Sequence, residues 1–453
     1  MRLLGIDLGT SFLKGAILDL EASTLQHVRR LPLPEKVAGI PAGHHELDPE
    51  ILLNTVRQLI GALLDDAPDA AGLVLCGQMH GLVFTDACCN PLSNIITWTD
   101  QRAQEPHPSG PGSFFNVLLS RVGPDELQRI GREIRVGVPI ATLFWLAEKR
   151  QLKPGVFAVS LPDFVVAGLC GVEPSTEATN AAAYGLVNLA EGDWDRALLG
   201  KLGLSTLRWP RIRPFGEVVG VADVAGHPLS CFTPVGDHQC ALVGSGLREG
   251  ELSLNISTGS QISLLSRTPF HNHCLVRPYF DGYWLHTIVQ LQAGRALDLI
   301  MDMVTEIART REVKPLDPWE YIERELDRVG ATDLEVDLAF YASTAAGGGA
   351  ITHIREDNFT VGHLFAAAFR SMARNYAINA QRLSPERNWR GIVFSGGLAQ
   401  RFARLRREIL DQLGNAPEHR LSAAKEDTLL GLLRLGQVCA GLSASVQEAL
   451  AYP

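Results

Sequence analysis

Residues 3–14 read LLGIDLGTSFLK and set the expected fold. An apolar run carries one carboxylate, Asp7, reaches a turn at Gly9-Thr10-Ser11, and resumes as FLKGAILDL. Apolar runs that flank a short glycine and hydroxyl segment are typical of a β-hairpin. Backbone N–H groups in a tight turn converge on an anion, and a glycine lets phosphate oxygens come close. The stretch therefore predicts a hairpin whose turn either is an ordinary glycine turn or binds phosphate through Thr10 and Ser11.

A second hairpin of the same kind is predicted at residues 251–265, ELSLNISTGSQISLL. Leu252, Leu254 and Ile256 alternate with polar residues, which is the period of a half-buried strand. The predicted turn then supplies Thr258, Gly259 and Ser260, and an apolar strand follows it. Two such hairpins predict two related halves that face one another, with the phosphate site divided between the two turns.

Strands and helices alternate along the rest of the chain, which indicates an α/β protein. Residues 73–85 predict strand, break and strand, and residues 94–98 another strand. Pro139 opens a predicted helix over 140–150, since proline suits a first helical position. From residue 361 we expect helices, except for the strand 391–394. A length of 453 residues predicts two domains, which we place at 1–244 and 245–453.

Composition argues against several classes of partner. The net charge is -9 and no basic module is present, so no nucleic-acid partner is expected. No window of 18 uncharged apolar residues predicts a membrane span. The start MRLLGIDLGT lacks the anatomy of a signal peptide. The eight cysteines include no C-x-x-C pair, so free thiols and a cytoplasmic location are expected. The sequence leaves a homodimer open.

Asp237 is the candidate catalytic base. It lies in TPVGDHQCALVGSG, where an apolar strand end meets a helix of small residues. A carboxylate at such a junction is placed to face a cleft, where it can accept the proton of a substrate hydroxyl. The alternative is an aspartate that caps the helix N-terminus.

Two polar groups interrupt apolar strands and are candidates for substrate binding. Gln78, Met79 and His80 occupy the break within 73–85, where buried polar groups need hydrogen-bond partners such as sugar hydroxyls. Trp98, Asp100 and Arg102 follow the next strand and offer a flat apolar wall with two charged partners. The alternatives are a structural histidine, a core tryptophan and a surface ion pair.

Further candidates concern the metal and the nucleotide. Asp7 can hold Mg²⁺ directly or through water. Lys14 can meet a phosphate or be a solvated strand residue. Gly396 and Gly397 follow the strand 391–394 and permit close approach of a flat ligand or a phosphate, although a plain turn is the alternative.

Taken together, the motifs resemble the FGGY family of carbohydrate kinases, within the actin/Hsp70-like ATPases. Six motifs occur in the family's order, namely GIDLGTSFLK at the start, GQMHG at 77–81, ITWTDQR at 96–102, the pair Gly236-Asp237, STGS at 257–260 and SGG at 395–397. The resemblance implies a two-domain actin-like fold, each domain with a ribonuclease H-like core. It also implies ATP with Mg²⁺ mainly on the second domain, and phosphorylation of a terminal hydroxyl of a ketose held mainly by the first.

The resemblance implies roles for single residues. Asp237 acts as base and Asp7 holds Mg²⁺, while Met79 and His80 contact the sugar. Residues around the phosphates and nucleotide are Thr10, Ser11, Lys14, Thr258, Gly259, Ser260, Gly396, Gly397 and Gln400. The sequence departs from the family at 345–349, AAGGG, where a Gly-Glu-Arg is common. A third glycine is also missing after Gly397, and Gln400 stands where a small polar residue is common.

Two branches of the family compete, sedoheptulokinases and xylulokinases. The stretches ATLFWL at 141–146 and Asn180-Ala181-Ala182, and the pair Asp237 and Gln239, resemble the sedoheptulokinase branch. Outside sugar kinases, the rivals are a non-catalytic sugar sensor and a protein-remodelling ATPase. The first is expected to carry a DNA-binding module and the second a substrate-binding module, and the sequence shows neither.

Overall fold

The structure is a computed structural model that describes residues 1–110, 112–257, 259–270, 273–310, 317–340, 348–414, 418–422 and 426–451. Its strands are β1 (Arg2–Leu8), β2 (Phe12–Asp19), β3 (Thr24–Pro32), β4 (Glu46–Leu47), β5 (Gly72–Gly77), β6 (Leu82–Thr85), β7 (Ile95–Ile96), β8 (Phe157–Ser160), β9 (Ser175–Glu177), β10 (Val187–Asn188), β11 (Asp193–Trp194), β12 (Arg211–Arg213), β13 (Val218–Val224), β14 (His227–Phe232), β15 (Val235–Gly236), β16 (Glu251–Asn255), β17 (Gln261–Ser266), β18 (Leu275–Pro278), β19 (Trp284–Ile288), β20 (Glu335–Asp337), β21 (Ala350–Thr352), β22 (Gly391–Ser395) and β23 (Glu418–Leu421).

The helices are α1 (Pro49–Leu64), α2 (Phe114–Arg121), α3 (Pro124–Arg129), α4 (Pro139–Glu148), α5 (Leu161–Cys170), α6 (Ala178–Ala182), α7 (Arg196–Lys201), α8 (Asp237–Gly244), α9 (Gly294–Thr310), α10 (Pro318–Arg328), α11 (Val361–Leu383), α12 (Gly397–Arg401), α13 (Ala403–Leu413), α14 (Asp427–Cys439) and α15 (Val446–Ala449). Within the described part of the chain, no helix is both long enough and apolar enough to span a membrane.

The first large sheet is built around the N-terminal hairpin. Its order is β13-β14-β5-β1-β2-β3, and β15 also pairs with β5. The meander β1-β2-β3 is antiparallel, whereas β5 runs parallel to β1, β14 and β15. Six of the seven residues of β1 are buried, so this strand lies in the centre of the core.

The second large sheet follows the same plan. Its order is β18-β19-β17-β16-β22-β23. The strands β16, β17 and β19 form an antiparallel meander, and β22 runs parallel to both β16 and β23. In both sheets, the first strand of an antiparallel hairpin therefore has a parallel strand as its other neighbour. This correspondence agrees with the prediction of two related halves.

Helices α8 and α14 lie between the two sheets. Their apolar residues share one core cluster with strands of both sheets. The two helices cross closely at glycines, because a Cβ on Gly431 would lie 2.0 Å from the carbonyl oxygen of Cys240 and one on Gly244 would lie 1.7 Å from that of Asp427. Since α8 belongs to the first half of the chain and α14 to the second, this packing connects the two halves.

Most predicted elements are confirmed, including both hairpins, the strands within 73–85, and the helix that Pro139 opens. The strand predicted at 94–98 is reduced to the two residues of β7. The expectation that 391–394 is the only strand after residue 361 is wrong, because β23 pairs with β22. Its sequence EHRL lacks an apolar alternation, so only the partner strand reveals it.

Candidate active site

Three parallel strand ends bring the predicted residues together. Asp7 of β1 is level with Cys76 of β5, and the last residue of β5, Gly77, is level with Gly236 of β15. Each chain segment that leaves these ends carries candidate residues. The carboxyl edge of a parallel sheet is where α/β proteins build ligand sites. The turn 9–11, the segment 78–80 and the start of α8 therefore share one edge.

A cavity of about 270 Å³ opens at this edge, between the two halves. It is lined by seven of the predicted residues, namely Thr10, Gln78, Met79, His80, Trp98, Asp237 and Gly259. It is also lined by residues that the sequence did not single out, including Arg135, His238, Gln261, Arg277 and Gln290.

Asp237 is the first residue of α8, and Gly236 takes the N-cap position. The capping alternative is therefore not realised. Burial, followed by the nearby Asp7 carboxylate, raises the pKa of Asp237 from its ordinary value of 3.8 to about 7, while the backbone N–H of His238 and the Arg277 guanidinium oppose the shift. A carboxylate with a pKa near 7 is suited to accept a proton at neutral pH.

Asp7 is buried beside the first turn. Its Oδ2 accepts a hydrogen bond of 2.6 Å from Thr428 Oγ1, and its Oδ1 lies 3.7 Å from Cys76 Sγ. Burial raises the pKa of Asp7 above its ordinary value. Lys14 Nζ lies 3.8 Å from Asp7 Oδ2 and 3.0 Å from Glu426 Oε2, so Lys14 is paired with carboxylates.

The sugar-side candidates are held to the first turn. Gln78 Nε2 donates to the carbonyl oxygen of Gly9 at 3.3 Å, and Trp98 Nε1 donates to Thr10 Oγ1 at 3.2 Å. Trp98 is 38% exposed, so it lines the cavity and is not a core residue. Met79 is buried at the cavity wall. Ser11 is exposed at the turn.

Asp100 and Arg102 do not line this cavity. They form a buried ion pair in which Arg102 Nε donates to Asp100 Oδ1 at 2.9 Å, and Arg102 Nη2 donates to Glu46 Oε1 at 2.6 Å. Asp100 Oδ2 also accepts from the backbone N–H of His45. Because these groups are used within the protein, Asp100 and Arg102 are left out of the site proposed below.

The second hairpin turn contributes Gly259, where an added Cβ would meet no atom within 4 Å. Ser260 is fully buried, and its Oγ donates to the carbonyl oxygen of Ser257 at 2.7 Å, so this hydroxyl holds the turn. Thr258 lies outside the described residues, as do 345–347 of the segment that departs from the family.

The strand β22 ends level with β16, which brings the diglycine beside the second turn. Gly396 has a φ of 89°, and a Cβ on it would lie 2.6 Å from the carbonyl oxygen of Ile256. Gly396 is therefore required by the backbone, whereas Gly397 has open space around it. Gln400 is exposed on α12, next to these glycines.

A buried charge network at the cavity was missed by the sequence reasoning. Glu133 Oε2 accepts from Arg277 Nε at 2.6 Å, and Glu133 Oε1 accepts from Arg135 Nη2 at 2.8 Å and lies 3.2 Å from His80 Nε2. Arg277 Nη1 lies 3.1 Å from His238 Nδ1. Burial lowers the pKa of His80 to about 4, so this histidine is neutral at physiological pH.

Comparison with known proteins identifies the family. Residues 2–244 match the model of the N-terminal domain of the FGGY family of carbohydrate kinases. The chain belongs to this family. It is an ATP-dependent sugar kinase. The human sedoheptulokinase is 27% identical to this kinase over 344 residues, which cover 67% of this chain and 69% of the relative. The xylulose kinase of Staphylococcus xylosus is 26% identical over 325 residues, covering 67% of this chain and 64% of the relative.

Solved structures show the same fold. The ligand-bound xylulose kinase from Lactobacillus acidophilus superposes with a TM-score of 0.84 at 17% identity, covering 99% of this kinase and 91% of that chain. The Plasmodium falciparum glycerol kinase with ADP gives a TM-score of 0.83 at 16% identity, covering 99% and 92%. The actin-like two-domain fold predicted from the sequence is thereby confirmed.

The missed residues of the kinase carry only a weak signal in the sequence. Arg277 is a charged residue inside an otherwise apolar strand, LVRP, which is unusual unless the charge is paired. Glu133 and Arg135 lie in the irregular segment between α3 and α4, where charged residues are common. Nothing in their spacing connects them to Arg277.

Proposed function

We propose that the kinase transfers the terminal phosphoryl group of ATP to a terminal hydroxyl of a ketose, with sedoheptulose preferred over xylulose. In this proposal residues 1–244 bind the sugar and residues 245–453 bind the nucleotide. The observation that carries it is Asp237, a carboxylate with a pKa near 7 that opens a helix onto a cavity lined by both halves.

Asp237 is the proposed base. It takes the proton of the substrate hydroxyl as the oxygen forms its bond to phosphorus and the bond to the ADP oxygen breaks. The proton ends on Asp237, and ADP carries away the electron pair of the broken bond. In phosphoryl transfer, positioning and charge neutralisation supply most of the rate enhancement, so one aspartate at the correct place is sufficient.

The two hairpin turns are the proposed phosphate site. Thr10 and Ser11 offer hydroxyls in the first turn, and Gly259 offers open backbone in the second. Thr258 belongs to the same proposal. Gly396 and Gly397 offer the nucleotide an unobstructed backbone beside the second turn, with Gln400 next to them on α12.

Mg²⁺ fits the donor set beside the first turn. Asp7 offers hard oxygen donors, and its carboxylate, together with burial, raises the pKa of Asp237, which supports a site for a cation between the two. Mg²⁺ binds through one or two carboxylates together with water and phosphate oxygens. When bound, the ion neutralises charge on the transferred phosphoryl group. Asp7 holds it in this proposal, and Lys14 balances the remaining acidic charge.

The polar lining supports a polyhydroxylated substrate. Gln78 and His80 offer hydrogen bonds, and Trp98 offers a flat wall for the C–H face of a sugar. A site with buried polar groups rejects analogues that leave those groups unpaired. The relatives named sedoheptulokinase and xylulose kinase support a ketose, and the stretch 141–146 favours the longer one.

A substrate panel tests the proposal. ADP release is measured with sedoheptulose, D-xylulose, L-ribulose and glycerol in one assay. We expect the highest kcat/KM with sedoheptulose and the lowest with glycerol. A ten-fold advantage of xylulose would reverse the ranking, and turnover of glycerol without any ketose would refute the sugar-site proposal.

We also propose a cytoplasmic enzyme whose partners are small molecules. All eight cysteines are free thiols, which suits a reducing compartment. Whether the kinase forms a homodimer is answered by sedimentation of the purified protein.

A further inference from the structure

The charge network at the cavity joins the two halves of the kinase. Arg277 belongs to β18 of the second sheet, whereas Glu133 precedes α4 in the first half. Their side chains are 3% and 1% exposed, and Arg277 Nε lies 2.6 Å from Glu133 Oε2. Arg277 nevertheless lines the same cavity as Asp237 and His80. A residue of the second half thus reaches the site that the first half was expected to supply.

Stability alone gives little reason for this arrangement. Burying an ion pair costs solvation, and well-packed apolar residues of similar volume are often at least as stabilising. The network also contains two guanidinium groups, of Arg135 and Arg277, around one carboxylate, Glu133. Glu133 therefore compensates only one of the two charges, and Arg277 also acts on the Asp237 carboxylate, which places the network beside the proposed reaction site.

The network also holds donors that the protein does not use. An arginine has five N–H donors. Among the described residues, the hydrogen bonds of Arg277 run through Nε and Nη1, and Nη2 has no partner. Arg135 Nε is buried and likewise has no hydrogen-bond partner. Unused donors at a polar cavity wall call for acceptors, and sugar hydroxyl oxygens are acceptors of this kind.

We propose that Arg277 is a sugar-binding residue contributed by the second half, and that Glu133 is the positioning residue that holds its guanidinium at the cavity. The inference rests on the proposed function because it assumes that this cavity is the sugar site. It goes beyond that function because it makes the sugar site incomplete until β18 and the first half are in contact.

The test uses variants that separate binding from stability. Arg277→Met removes the guanidinium at the cavity while Glu133 keeps Arg135 as an ion-pair partner, so we expect only a modest fall in the melting temperature. The double variant Glu133→Gln/Arg277→Met leaves the Arg135 guanidinium without its carboxylate and is expected to melt at a lower temperature than Arg277→Met. In both variants we expect the KM for sugar to rise by roughly 10- to 100-fold, because a hydrogen bond from a charged donor is lost.

The KM for ATP is the internal reference, and it is expected to stay within about two-fold because the proposed contact is with the sugar. Arg267→Met is the matched control, since Arg267 is an exposed arginine directly after β17 that stacks on Tyr283 away from the cavity. Glu133→Asp should retain more sugar affinity than Glu133→Gln, as expected for a carboxylate that positions Arg277.

A purely structural role gives a different result. If Arg277→Met keeps the wild-type KM for sugar, Arg277 does not bind the sugar and the inference is wrong, whatever the melting temperature of the variant. Calorimetric titration of Arg277→Met with sugar alone must agree with the KM. The substrate panel on the wild type tests the proposed function separately, and the variants are assayed with whichever sugar the wild type phosphorylates.

Discussion

The two hairpin turns share a backbone plan and differ in their chemistry. Each lies at the carboxyl end of a central strand that has one antiparallel and one parallel neighbour. Near the end of β1 stands the carboxylate Asp7, and at the end of β16 stands the amide Asn255. Asn255 Oδ1 accepts a hydrogen bond of 2.7 Å from Ser257 Oγ, so this amide braces its own turn.

The difference shows how related cores can divide one reaction. Two acidic groups, Asp7 and Asp237, lie at the sheet edge of the first half, where burial and the Asp7 carboxylate raise the pKa of Asp237. The second turn offers the neutral, open backbone of Gly259, which suits a polyanionic ligand without charge repulsion. In the proposed mechanism, the same sheet edge therefore serves proton and metal chemistry in one half and phosphate binding in the other.

The largest expected effect comes from removing the base. Asp237→Asn should lower kcat by about 10³-fold or more, equivalent to about 4 kcal/mol of barrier. Because burial raises the pKa of Asp237 to about 7, the ionised form costs stability above that pH. The variant should therefore melt at or above the wild-type temperature at pH 8. Near-normal turnover with unchanged melting would remove Asp237 from the mechanism.

Exchanging the side chains of Asp7 and Asn255, which precede the two turns, tests the difference in charge between them. Asp7→Asn keeps the shape of the side chain but removes the charge of the proposed Mg²⁺ ligand, and we expect the Mg²⁺ concentration for half-maximal rate to rise roughly ten-fold or more. Asn255→Asp is the reciprocal variant and should not lower that requirement below the wild-type value. Wild-type turnover in excess chelator would refute the proposed metal site.

The pH profile tests the acidic character of the first half. Asp237 acts as a base only when ionised, and its pKa of about 7 lies above the ordinary 3.8. The ionised fraction falls with decreasing pH, so kcat/KM should drop about ten-fold per pH unit below pH 6. The residual activity of Asp237→Asn should lack this limb. A wild-type profile that is flat from pH 7 to 5 would contradict the assignment.

The smallest expected effect lies in the second half. Gly396→Ala forces a side chain into a backbone with a φ of 89° and against the Ile256 carbonyl, so the KM for ATP should rise several-fold and stability should fall by about 1–3 kcal/mol. Gly397→Ala is the matched control, because nothing lies within 4 Å of its added Cβ. Equal effects of the two variants on stability would show that strain at Gly396 is not the cause.

The sequence by itself predicted the parts whose signal is local. Hairpins such as 3–14 show apolar runs around a turn, and Asp237 stands at a strand-to-helix junction; both patterns are legible over a few residues. The edge strand β23 was not predicted, and the strand that contains β7 was predicted too long. Both are fixed by pairing with strands that are distant in the sequence. The mixed α/β class followed from these local signals, whereas the actin-like fold followed from the resemblance of six motifs, GQMHG among them, to one family.

Long-range packing decided the rest. The sequence predicts that Asp100 and Arg102 bind the sugar. In the structure, Arg102 pairs with Glu46, and Asp100 accepts a hydrogen bond from the His45 backbone. In the sequence, Arg277 is a single charged residue in an apolar strand. In the structure, its ion pair with Glu133, which is distant in sequence, holds it at the cavity. The sequence determined the hairpins, the turns and the candidate base, because their geometry is set by neighbouring residues. Only the tertiary structure assigned each charged side chain its partner, because the burial and the opposing charge that fix that choice come from other parts of the chain.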